Sequence, residues 1–149
     1  MNRILIIIIS FFLFSACSYE PVLLNKKYDV GFNKISYEGD KEINKIIKNI
    51  LSQRASKNKK YDLFFSSKKE KNTILSNKKG DPTTFEIKII LNFRLMENAE
   101  SIFSDQINKQ FTYNNINDKY ELSKYEENVL ITLTENIVED MLLSVSSLD

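Results

Sequence analysis

The sequence contains no histidine, one cysteine and three glycines. Without histidine the commonest general acid and base is missing. One cysteine, Cys17, leaves no disulfide and no paired-thiolate zinc site, and no other spacing of ligand-type residues suggests a metal. Gly31, Gly39 and Gly80 are too scattered to form a phosphate-cradling loop. The adjacent carboxylates Glu126-Glu127 and Glu139-Asp140 read as solvated charges, because neighbours on a helix point in different directions. The expectation is a protein with no catalytic residues, no metal and no cofactor. Charge of one sign is lacking too. The chain has 21 basic and 20 acidic residues, and loss of Arg3 with the N-terminal segment would balance them. A nucleic-acid partner, which calls for a clearly basic domain, is therefore not expected.

The N-terminus supplies what the composition does not. Arg3 precedes an apolar run from Ile4 to Phe14, followed by Ser15-Ala16-Cys17. The run is shorter than the roughly 20 apolar residues that span a bilayer, and the order of basic start, apolar core and small-residue exit predicts a secretory signal over residues 1–16. Leu13-Phe14-Ser15-Ala16-Cys17 resembles a bacterial lipobox, with Phe14 where leucine is usual. That resemblance implies diacylglycerol and an N-acyl chain such as palmitate on Cys17. Each buried methylene of such chains adds about 0.8 kcal/mol of membrane affinity. Residues 17–27, containing Pro21 and no periodic pattern, then read as a lipidated tether, and residues 28–149 as a single periplasmic domain.

Periodicity predicts the elements of that domain. Tyr28, Val30 and Phe32 alternate, and Ile35 and Tyr37 resume after a change of phase, which predicts a strand bulged near Asn33-Lys34. Gly39-Asp40 supplies a turn and an N-cap. Ile43, Ile46, Ile47, Ile50 and Leu51 share one helical face, predicting a helix over about 41–55. Tyr61, Leu63 and Phe65 alternate as a short strand. From Ser66 to Pro82 the chain is mostly Lys, Ser and Asn, which reads as a long mobile loop or the end of a polar strand. Strict alternation from Phe85 to Met96 predicts a half-buried strand. Residues 97–100 read as a hairpin loop. The return strand through Phe103, Ile107, Phe111 and Tyr113 carries Asp105 and Lys109 on the same parity, which suits a sheet edge. Phe85, Phe93, Phe103 and Phe111 are expected in the core. Leu122, Tyr125, Val129, Leu133, Ile137, Met141 and Val145 define a last helix over about 119–145. The predicted class is α+β: two helices packed on one face of a four-stranded sheet, in the order strand, helix, three strands, helix.

Two short stretches carry a family resemblance. Cys17-Ser18-Tyr19-Glu20-Pro21-Val22 resembles the mature start of the LPS-assembly lipoprotein family, LptE, matching at Tyr19, Pro21 and Val22 with Ser18 in place of glycine. Phe111-Thr112-Tyr113-Asn114 ahead of the Tyr120 helix resembles that family's Tyr-Asn junction. The resemblance implies a lipid-anchored subunit on the periplasmic face of the outer membrane. Its implied partners are the LptD β-barrel, which it plugs and helps to assemble, and lipopolysaccharide, whose insertion into the outer leaflet it assists. Ser18 and Tyr19, in place of the aspartate that retains some lipoproteins in the inner membrane, favour the outer membrane. The alternative is a pilotin-like or other scaffold lipoprotein of an outer-membrane complex.

Local charge adds a candidate site. Residues 57–79 hold eight lysines against Asp62 and Glu70. Lys68, Lys69, Lys71, Lys78 and Lys79 are the candidates to meet the phosphates of lipid A, since lysine acts as a point charge for phosphate. The competing reading is a solvated lysine-rich surface in a chain rich in Lys, Asn and Ile throughout.

Overall fold

The computed structural model describes residues 28–56 and 59–148. Cys17, the segment 1–16 and the tether 17–27 lie outside the described residues. The elements are β1 (Gly31–Gly39), α1 (Lys41–Arg54), β2 (Lys59–Ser76), β3 (Pro82–Glu97), β4 (Glu100–Asn114) and α2 (Lys119–Ser146). They form one sheet in the order β1-β2-β3-β4, with β1 parallel to β2 and the remaining pairs antiparallel. Both helices pack on the same face, as the predicted class requires. α1 lies against β1 and β2, and α2 against β3, β4 and α1.

Strand patterning builds the core. Tyr61, Leu63 and Phe65 of β2 and Ile87, Ile89, Leu91, Phe93 and Leu95 of β3 turn one parity inward and are buried. From the helices, Ile43, Ile47, Ile50 and Leu51 of α1 meet Ile137, Val138, Met141, Leu142 and Val145 of α2 in the same core. The bulge in β1 falls where the phase of the sequence changes, between Phe32 and Ile35.

Four expectations need correction. Residues 66–76 are not a loop: they continue β2, so the polar-strand reading holds. Their partner β3 explains this, because its ladder offers hydrogen bonds to residues with little β-propensity of their own, in unbroken register to Thr73↔Phe85 and with two shifts from there to Ser76↔Pro82. The buried stripe of α2 is wider than predicted: Leu122, Leu133, Ile137, Met141 and Val145 are buried as expected, Leu130, Thr134, Val138 and Leu142 are buried beside them, and Tyr125 is exposed. Phe111 is exposed because β4 is the sheet edge, whereas Phe93 is buried and Phe85 and Phe103 are partly so. The helix carboxylates are not merely solvated. Glu126, Glu139 and Asp140 each hold a partner from outside the helix.

The start of α1 is fixed by a small buried network. Gly39 has φ +97°, and a Cβ there would lie 2.0 Å from the Ser67 carbonyl oxygen. The Asp40 carboxylate caps α1 by accepting from the Glu42 and Ile43 amides. The Asp40 amide donates to the Ser67 carbonyl, the Ser67 hydroxyl to Asn44 Oδ1 at 2.7 Å, and Asn44 Nδ2 to the Glu38 carbonyl. Asn44 and Ser67 are buried, so their polar groups depend on these partners in place of water.

Candidate functional site

The candidate lysines occupy three different places because β2 is a strand through most of their range. Successive strand residues alternate faces, so Lys69 and Lys71 share the helix side with Phe65 and Ser67, while Lys68 lies on the opposite, uncovered face. Lys78 and Lys79 sit in the turn between β2 and β3.

On the helix side both lysines are neutralised. Lys69 Nζ pairs with Glu42 Oε2 of α1 at 2.9 Å, and this hydrogen bond holds its pKa above the ordinary lysine value. Lys71 Nζ meets Glu126 Oε1 of α2 at 2.6 Å and lies over the Phe85 ring. Glu126 Oε1 also accepts from the Tyr113 hydroxyl at 2.7 Å. Burial, reinforced by this bond to a carboxylate, pushes the Tyr113 pKa well above its usual range. These pairs line a cleft of ≈ 260 Å³ between β2, the first turn of α1 and the Ser123–Leu130 stretch of α2, together with Ile87. The volume falls below the roughly 300 Å³ at which ligand pockets begin. The cleft joins the helices to β2 rather than offering free charge to an anion.

The open face is polar and internally connected. Lys68 pairs with Glu70 at 2.7 Å, and its hydrogen bond holds the Glu70 carboxyl below the usual range. Across the strands, Gln106 donates to Asn92, and Asn92 to Ser66. Arg94 stands over Phe64. No described element covers this face.

The β2–β3 turn differs from both surfaces. Asn77 organises it by accepting from the Lys79 and Asp81 amides, and Gly80 takes φ +91° with open space around it. Neither Lys78 nor Lys79 has an ion-pair partner among the described residues. Beside them Ile74 and Leu75 are 47% and 59% exposed. Two unpaired cations next to two exposed aliphatic side chains form an amphipathic tip, whose chemistry suits an anionic amphiphile. Proximity in the chain groups the five lysines, and the sequence shows Ile74 and Leu75 among them without showing which lysines they accompany. Their interruption of the polar stretch was the available signal.

Among the described residues no group of three potential ligands is placed to hold a metal, and no helix is long and apolar enough to cross a membrane. No family model and no curated protein sequence matches the chain. Solved structures do. Lipoprotein B of Nitrosomonas europaea is similar with a TM-score of 0.60 and 16% identity, over 85% of this chain and 90% of that one. Rare lipoprotein B of Shewanella oneidensis is similar with a TM-score of 0.53 and 13% identity, over 78% of this chain and 98% of that one. At these identities the likeness is one of fold.

Proposed function

We propose that this chain is an LptE-type lipoprotein of the outer membrane. It is anchored through acyl chains on Cys17, sits within the LptD barrel and assists the insertion of lipopolysaccharide. The observation that carries this reading is the coincidence of two independent signals. The lipobox and Tyr-Asn junction come from the sequence, and the fold is shared with solved bacterial lipoproteins named lipoprotein B. The surface supports it. A barrel lumen is polar, and the open face of the sheet presents Ser66, Lys68, Glu70, Asn92, Arg94 and Gln106. Within this reading the amphipathic tip is the part that meets lipopolysaccharide, with Lys78 and Lys79 on the lipid A phosphates and Ile74 and Leu75 against its acyl chains.

The deciding experiment is affinity purification of the tagged full-length chain from detergent-solubilised envelopes. Recovery of a stoichiometric outer-membrane barrel is the expected result. Recovery of a secretin or another periplasmic complex in its place assigns the chain to the scaffold lipoproteins.

A further inference from the structure

The two edges of the sheet are protected unequally. β1 is nine residues long and is interrupted by its bulge. Shortness and bulges are common ways of keeping an edge from pairing with another chain. β4 has neither. It runs for fifteen residues without proline and keeps an unbroken register with β3 from Thr84↔Asn114 to Leu95↔Phe103. Among the described residues nothing pairs with its other side, so its outward N–H and C=O groups are a ready template.

The residues of β4 are complementary to themselves in reverse. In a two-fold antiparallel pairing centred on Ile107, Asp105 of each copy lies opposite Lys109 of the other. Phe103 lies opposite Phe111, Gln106 opposite Asn108 and Ser104 opposite Gln110. Other centres lose this match. Centring on Asp105 or Lys109 sets like charges face to face, and centring on Gln106 or Asn108 puts both charges opposite apolar side chains. Opposite charges and aromatic pairs directly across two strands stabilise a sheet, and like charges there weaken it. We propose that the β4 edges of two copies of this chain pair antiparallel about Ile107, joining two four-stranded sheets into one.

The surroundings of β4 fit this occupant. Pairing about a two-fold axis keeps the helices of both copies on the same side. Phe111 is 43% exposed and borders an apolar groove of ≈ 270 Å³ with Tyr125, Val129 and Leu133, and it gains Phe103 of the second copy as a neighbour. Asp105 has no ion pair among the described residues, and Lys109, held by Asp140 at 2.6 Å, acquires a second carboxylate. The pairing requires neither a barrel nor lipopolysaccharide, so it stands or falls separately from the function proposed above.

The test uses the purified full-length chain in detergent, with single cysteines on the open face of β4. Oxidising a mixture of Gln106→Cys and Asn108→Cys chains should give a cross-linked pair containing one of each. Gln106→Cys alone should give far less, and the unsubstituted chain sets the background. Asp105→Lys should raise the concentration at which the dimer dissociates by about tenfold or more, and adding Lys109→Asp to it, in a chain that also carries Asp140→Asn to remove the carboxylate beside position 109, should restore the dimer. Circular dichroism of each variant separates lost pairing from lost folding. A chain that sediments as a monomer overturns the proposal. So does equal cross-linking from Ser66→Cys, which lies on β2 away from the edge, or failure of the double charge swap to restore pairing while the fold is kept.

Discussion

At the scale of single residues, the structure separates five lysines that composition treats alike. Lys69 and Lys71 spend their charge on Glu42 and Glu126, whereas Lys78 and Lys79 sit in a turn without such partners among the described residues. Changing Lys69 and Lys71 to Gln should lower stability by up to about 1 kcal/mol, the scale of partly exposed ion pairs, and leave lipopolysaccharide binding intact. Changing Lys78 and Lys79 to Gln should do the reverse, weakening binding and flattening its salt dependence. Denaturant titration and lipopolysaccharide binding at two ionic strengths measure both effects. Tyr113 supplies a pH signature. Its pKa is raised in the folded chain, so above about pH 10 the unfolded state loses this proton while the folded state keeps it. The stability it contributes is fully present below that pH and is lost as pH rises through the folded-state value. Tyr28, raised by burial and its bond to Glu139, acts in the same sense. Urea unfolding of Tyr113→Phe between pH 9 and pH 11 should show a shallower alkaline loss than wild type.

At the scale of elements, backbone geometry at two turns decides what each position tolerates. Gly39→Ala forces a Cβ into the Ser67 carbonyl at a positive φ, and should cost more than about 2 kcal/mol by separating β1 and α1 from β2. The β3–β4 turn holds the opposite case. Asn98 and Ala99 both have positive φ, 51° and 68°, the pattern of a two-residue hairpin turn that favours glycine at its second position. Ala99→Gly should therefore stabilise the hairpin by about 0.5–1 kcal/mol. Shifts in urea midpoint of opposite sign check the pair. The faces of β3 are as sharply distinguished. Leu91 is fully buried and Asn92 exposed. Leu91→Asp, which buries an unpaired carboxylate, should unfold the domain, while Asn92→Asp should cost within about 0.5 kcal/mol. Equal loss from the two would mean that the register of β3 is wrong.

At the scale of the whole molecule, the proposed anchor and the folded domain should be separable. The described core is built from residues 28 onward and uses no thiol. Cys17→Ser should abolish incorporation of labelled fatty acid and release the chain from the membrane fraction, while its thermal unfolding stays unchanged. Label retained in that variant would refute the lipobox reading.

Sequence alone determined the elements whose periodicity is enforced by a one-sided core. β3, α1 with its Asp40 cap, and the edge character of β4, marked by Asp105 and Lys109, were all legible because burying one face requires a fixed spacing of apolar residues. Tertiary structure decided what local spacing cannot encode. Residues 66–76 are strand because β3 supplies their hydrogen bonds, not because their side chains prefer it. The extra buried positions of α2, Leu130, Thr134, Val138 and Leu142, follow from a long helix resting on the sheet and on α1 together, and the Ser67–Asn44 network from a contact between residues far apart in the chain. The candidate site divides in the same way. Lysine content showed in the sequence, but strand alternation and the positions of Glu42 and Glu126 determined which charges are neutralised and which lack an ion-pair partner among the described residues.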